Sequence, residues 1–191
     1  EKNKIDQLHK LSFLKRNELY TSFLDNFSIN LGEIENNPFL GYVGKKYSSA
    51  SKKLCFVAKS GAESTNFSYN DKVMNDSFIG FRKSKDTNRV NSFWFYQDII
   101  KKYIKNWNVY RIPEYLNSKV GYNINFISYI NIVPFRYKGA PTKRVYKIAW
   151  NNFTNKILEI IKPDLIIPLG NTLHFEIKQN FKGKSFVTNG I

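Results

Sequence analysis

The chain has 191 residues, 42% of them hydrophobic and 16% aromatic, enough to bury one sizeable core and too few to require a second domain. Lys and Arg number 30 against 15 Asp and Glu, a formal charge of +15, so nucleic acid is the expected partner through steering and counterion release; an AT-rich genome, by favouring Lys, Asn and Ile codons, is the bland alternative source of that charge. The lone cysteine, Cys55, excludes an intramolecular disulfide and a thiolate metal cluster, and no apolar run approaches the ~20 residues of a membrane span.

The first stretch, from Ile5 to Phe27, places Ile5, Leu8, Leu11, Leu14, Leu19, Phe23 and Phe27 among charged residues, which predicts one or two amphipathic helices within an entry segment of about 1–35. Asn36 to Gly44 holds Pro38, Gly41 and Gly44 and reads as a loop, followed by the connector Ser48 to Ser51. Leu54 to Ala58 is a short apolar run closed by Ser60 and Gly61, the pattern of a strand buried on both faces. From Glu63 to Asn91 the chain turns polar and irregular, so a long loop is expected there.

Asn91 or Ser92 is the expected cap of a helix running to about Trp107, with Trp94, Phe95, Ile99, Ile100, Tyr103 and Ile104 on its apolar side. Asn125 to Val133 predicts a second strand that stops at Pro134, whose missing amide hydrogen interrupts a ladder. After the loop Phe135 to Pro141, Thr142 caps a helix in which Val145, Ile148, Ala149, Phe153, Ile157, Ile160 and Ile161 recur until Lys162 and Pro163. Leu165 to Leu169 is the third strand, with Pro168 uncomfortable in a central position. Gly170 to Thr172 then leads into a helix through Phe181, and Ser185 to Thr188 begins a fourth strand.

Helices alternating with short apolar strands predict an α/β domain spanning 1–191, a three-layer α/β/α sandwich around a central, mainly parallel four-stranded sheet. Ligands of such sheets gather at the carboxyl ends of the strands, which singles out the turns at Lys59 to Phe67, Pro134 to Arg144 and Gly170 to His174. A start at Glu1 without a signal-peptide pattern makes a cytoplasmic protein the default and leaves room for a fusion or partner domain beyond either end.

Three segments carry a resemblance. Phe56 to Glu63 follows the first core strand, Tyr129-Ile130-Asn131-Ile132-Val133-Pro134 forms an Asn-bearing strand end, and Ile161-Lys162-Pro163-Asp164 leads to Leu169-Gly170-Asn171. In this order they resemble the uracil-DNA glycosylase superfamily, over about Pro38 to Phe181. The resemblance implies a fold of that family and a pocket that takes an extruded base, without metal or other cofactor. Two departures stand out. Lys59 and Ser60 occupy the first motif, where the family carries Asp, Glu or Asn, and Glu63 is the nearest carboxylate. The family's late His-Pro-Ser motif has no counterpart before Ile191, so either it lies downstream or hydrolysis has been lost.

On this reading Asn131 offers a donor and an acceptor to a base edge; its plain alternative is an Asn satisfying loop backbone. Glu63 is the candidate for orienting water and stabilising oxocarbenium character, with Ser60 beside it. The amides of Gly61 and Ala62 can grip a base carbonyl, and Phe67 or Tyr69 can stack on the base. Arg136, Lys138, Lys143, Arg144 and Asn171 are placed to hold backbone phosphates, with a solvated basic face as the alternative; His9 and His174 receive no role. Two functions follow: a DNA glycosylase that flips a damaged or modified base and hydrolyses its N-glycosidic bond, or a catalytically inactive nucleic-acid or nucleotide sensor within a larger repair or antiphage defence protein.

Overall fold

A computed structural model describes residues 1–14, 39–61, 69–106, 110–136 and 141–169. The chain is a mixed α/β protein whose four-stranded sheet is mostly parallel. Its strands are β1 (Tyr42–Val43), β2 (Leu54–Gly61), β3 (Ile127–Arg136) and β4 (Leu165–Pro168), in the spatial order β1-β3-β2-β4. β2 runs parallel to both β3 and β4, while β1 lies antiparallel on the outer side of β3. Parallel neighbours require crossovers, and here helices supply them.

The helices are α1 (Lys2–Leu14), α2 (Tyr69–Lys83), α3 (Arg89–Ile104), α4 (Arg111–Lys119), α5 (Lys143–Ala149) and α6 (Asn155–Ile161). Every residue from Leu54 to Ala58 and from Ile127 to Val133 is buried, so both faces of the two central strands are covered, as their unbroken apolar runs require. Thr142 caps α5 through its hydroxyl, which accepts from the Val145 amide at 3.4 Å. Between α5 and α6 the Trp150–Thr154 turn widens into a π-helix, where the Thr154 hydroxyl donates to the carbonyl of Ile132 at 2.7 Å. The left-handed Lys162 (φ 49°) ends α6.

Several expectations are corrected. The stretch read as a long loop contains α2, which is fastened to α3 by the ring contacts of Phe78 with Tyr96 (5.3 Å) and Phe81 with Phe93 (5.4 Å). α3 begins at Arg89 rather than at Asn91 or Ser92, and its buried side is Phe93, Tyr96, Gln97, Ile100 and Ile104, while Phe95 is exposed. α4 has no counterpart among the expected elements. The loop Asn36 to Gly44 contributes β1, so the fourth strand of the described sheet is Tyr42–Val43; the expected strand at Ser185 to Thr188 and the helix through Phe181 lie outside the described residues.

Both prolines in strands are accommodated by the ladder. β3 does not stop at Pro134 but continues to Arg136, because the β2 register jumps there: Ser60 pairs with Val133 and Gly61 with Arg136. Pro134 sits in this bulge, where an amide donor is not needed, and its carbonyl accepts from Phe39 at 2.7 Å. On β4 the amides of Leu165 and Leu169 donate to the carbonyls of Lys53 and Val57. By alternation the Pro168 nitrogen points away from β2, so no bond to β2 is lost.

Two glycines are demanded by the packing of β1 on β3. Gly41 has φ +83° and would place a Cβ 2.7 Å from the Tyr129 carbonyl oxygen, and a Cβ on Gly44 would lie 2.1 Å from that of Asn125. Backbone approaches this close admit only glycine.

Candidate functional site

Because β2, β3 and β4 are parallel, all three deliver their carboxyl ends to one edge of the sheet. Gly61 and Arg136 are paired at that edge, and Leu169 follows β4 at the level of Ala58. The connections that leave from it include 62–68, 137–140 and the chain from 170, none of which is among the described residues. The strand order therefore brings the carboxyl ends of β2, β3 and β4 to one side of the sheet, where ligands of such folds gather; the expected turns themselves lie largely outside the described residues.

Asn131 is a buried polar residue in the middle of β3, four residues after its start and five before its end. It is 6% exposed and pairs with Ala58 across the parallel ladder, with Tyr129 and Val133 as its same-face neighbours along β3. Its carboxamide oxygen Oδ1 is buried and has no hydrogen-bond partner among the described residues. A buried acceptor without a donor costs about 1–3 kcal/mol, and most such groups in folded proteins are satisfied. Across the ladder Ala58 contributes only a methyl group, leaving the amide of Asn131 next to the smallest side chain of the run Leu54 to Ala58. Asn131 is not at a strand end, as expected, but five residues before the end of β3, because the strand extends through the Pro134 bulge.

The first motif is divided by the pleat. Lys59 is half-buried and, by alternation, belongs to the face opposite Ala58 and Asn131. Ser60 and Gly61 form the last two positions of β2, with Ser60 paired to Val133, two residues beyond Asn131. The Ser60 level is thus about 8 Å from Asn131, given one strand spacing and two residue rises.

Of the expected phosphate contacts, Lys143 and Arg144 are exposed on the first turn of α5, which follows β3 within a few residues and packs against it. Arg136 ends β3. Glu63, Ala62, Phe67, Lys138 and Asn171 lie outside the described residues, and so does His174. Tyr69 opens α2.

Ala58 is the member of this site that sequence reasoning passed over; its signal was the drop in side-chain size after Val57 in an otherwise bulky run. The Lys162-Pro163-Asp164 motif proves to hold a turn together. Asp164 accepts from the Lys53 amide through Oδ2 at 2.8 Å and returns its own amide to the Lys53 carbonyl at 3.0 Å. Cys55 is fully buried, and burial pushes its thiol up to about 12, which removes it from nucleophilic chemistry at neutral pH.

His9 is also structural. It is 7% exposed, its Nε2 lies 2.9 Å from the Arg82 carbonyl, and its ring meets Phe81 edge-on at 5.2 Å. Burial, then the nearby Arg89 charge, lowers its pKa against the opposing pull of that carbonyl. Arg89 is itself bonded to Asp6 at 2.7 Å and to Asp86, so α1 is tied to the α2–α3 corner.

Among the described residues no three His, Cys, Asp or Glu side chains are grouped so as to hold a metal ion, and no helix is long and apolar enough to cross a membrane. No protein-family model matches the chain, and comparison with curated proteins finds no match.

Proposed function

We propose that this chain is a DNA-binding protein similar to the uracil-DNA glycosylases, with their three-layer arrangement, which takes an extruded base at the carboxyl edge of its sheet and hydrolyses the N-glycosidic bond. The observation that carries the reading is the buried, unpartnered Oδ1 of Asn131 beside Ala58. An amide kept at that cost in an apolar sheet is suited to a ligand that brings its own donor, and the edge of a pyrimidine does so. The convergence of three strand ends, the exposed Lys143 and Arg144 and the charge of +15 support a nucleic-acid strand as the carrier of that base.

In the hydrolytic step Glu63 holds a water whose oxygen attacks the sugar C1′. The bond from C1′ to the base nitrogen breaks, the electron pair leaves with the base, and the water proton passes to the carboxylate. Asn131 acts earlier, by holding the base edge.

A specific observation favours a second reading, base sensing without cleavage. The family's carboxylate position is occupied by Lys59 and Ser60, and Lys59 belongs to the opposite face from Asn131. The two readings separate when the full-length protein is incubated with labelled duplex and single-stranded DNA carrying uracil, hypoxanthine or hydroxymethylated bases and then treated with alkali. Strand breaks that vanish in Glu63→Gln support hydrolysis. Intact strands with base-selective binding support sensing, and intact strands with no base preference reject both.

A further inference from the structure

The opposite, amino edge of the sheet carries a second built surface. Three separate segments meet there: 44–53 before β2, 122–126 before β3, and 162–164 before β4. They are stitched together by main-chain and hydroxyl bonds. The amide of Gly44 donates to Ile127 (2.9 Å) and that of Lys46 to Asn125 (2.8 Å). The Tyr122 hydroxyl lies 2.7 Å from the Ser51 hydroxyl and accepts from the Lys52 amide at 2.8 Å, and Asp164 clasps the Lys53 backbone from the third segment.

This platform presents lysines. Lys46 and Lys52 are exposed and Lys53 is half-buried; Lys162 is exposed at the left-handed turn, and Lys101 reaches in from α3 to donate to Asn125 Oδ1 at 2.8 Å. The Lys46 ammonium is held over the Phe126 ring, 5.5 Å from its centre, and that ring stacks on Tyr122. Lys45 is already paired with Asp98. Within the three segments Asp164 is the sole carboxylate, and it serves the Lys53 backbone. Such a surplus of ammonium groups on a hydrogen-bonded base is placed to attract phosphates.

We propose that the amino edge is a second nucleic-acid contact, a phosphate-backbone surface formed by Lys46, Lys52, Lys53, Lys101 and Lys162, independent of the base pocket. Asn131 is four residues along β3 from Ile127, about 13 Å at the usual rise, so a bound strand or duplex can touch this edge without entering the pocket. An anionic membrane or an acidic protein is the competing occupant. Nucleic acid fits better because the three segments supply ammonium groups for phosphates and expose no large apolar side chain of their own, Val120 and Leu165 lying at their borders, whereas membrane docking calls for inserted apolar side chains on the same surface.

The test compares the triple variant Lys46→Gln/Lys52→Gln/Lys53→Gln with the charge-keeping Lys46→Arg/Lys52→Arg/Lys53→Arg, using a 20-base-pair DNA without modified bases over a salt series. The Gln set is expected to bind at least about tenfold more weakly, with a log–log salt slope smaller by ~2–3, following the loss of about 0.9 per phosphate contact. The Arg set is expected to match the parent. In the unaltered protein, saturating DNA is expected to shield Lys46 and Lys52 from lysine acetylation, a readout that requires no variant to fold. Unchanged affinity and slope in a folded Gln set, equal loss in the Arg set, or acetylation undiminished by DNA would overturn the proposal. So would a Gln set that loses binding to phosphatidylserine vesicles or an acidic peptide while keeping DNA. DNA binding that depends on this edge but shows no base preference supports the surface while rejecting the base pocket.

Discussion

Asn131 and Ala58 face each other across the β3–β2 ladder, and the amide of the first has an unsatisfied Oδ1 where the second offers only a methyl group. Replacing a buried acceptor that lacks a donor by an apolar side chain of similar volume removes a desolvation penalty. Asn131→Leu is therefore expected to leave chemical stability unchanged or raise it by about 1–2 kcal/mol, measured by urea unfolding, while base-selective binding disappears. A loss of more than about 2 kcal/mol would mean that the amide serves the fold.

Acid is expected to loosen the α1 attachment. His9 has a lowered pKa in the folded protein, so the unfolded chain binds its proton more readily and stability falls as pH drops through the ordinary imidazole range, from about 6.5 downwards. Above that range the imidazole is neutral in both states and contributes no pH dependence. Melting curves between pH 8 and pH 5 should fall more steeply for the parent than for His9→Gln; parallel curves would contradict the assignment. The Asp6 carboxyl, held low chiefly by its bond to Arg89, stays ionised across that interval.

The two kinds of glycine on the molecule predict opposite outcomes. Gly44→Ala puts a methyl group against the Asn125 backbone, forcing β1 off β3, with an expected cost of about 2–4 kcal/mol. Gly80 lies exposed within α2 with nothing within 4 Å of an added Cβ, so Gly80→Ala is expected to stabilise by about 0.5–1 kcal/mol. Chemical denaturation of the two variants checks both signs.

How much of this was legible from residues alone depended on local chemistry. The unbroken apolar runs at Leu54 to Ala58 and Leu165 to Leu169, and the Thr142 cap with its following periodicity, each depend on neighbours in sequence and emerge as expected. α2 was hidden because Asn70, Asp71, Asn75 and Gly80 weaken its helical signal, and its packing depends on Phe78 and Phe81 meeting α3. β1 has two residues, too few to show a period, and exists because Gly41 and Gly44 let it approach β3. Pro134 read as a stop because its accommodation is a two-strand property, a register jump opposite Ser60 and Gly61. At the candidate site the sequence singled out Asn131 but not its depth within β3. It also gave no sign that Lys46 and Lys52 share one edge, since Tyr122, about 70 residues away, bonds Ser51 and Lys52 and stacks on the Phe126 ring that lies under Lys46.

Cys55 should report global unfolding. Fully buried on β2, with its thiol pushed up to about 12, it is expected to resist iodoacetamide at pH 8 in the native protein and to react fully in guanidinium. Fast native labelling would show that the core opens around β2.

Competition binding with a single altered base tests the central claim most directly. The parent protein and Asn131→Ala are titrated against otherwise identical DNAs that differ in one position, normal base against uracil or another modified base, at one fixed salt concentration. A preference of at least about tenfold, worth ~1.4 kcal/mol, that collapses in Asn131→Ala while affinity for ordinary DNA is kept is the predicted result. Equal affinity for every base in the parent, or a preference that survives the substitution, would contradict it.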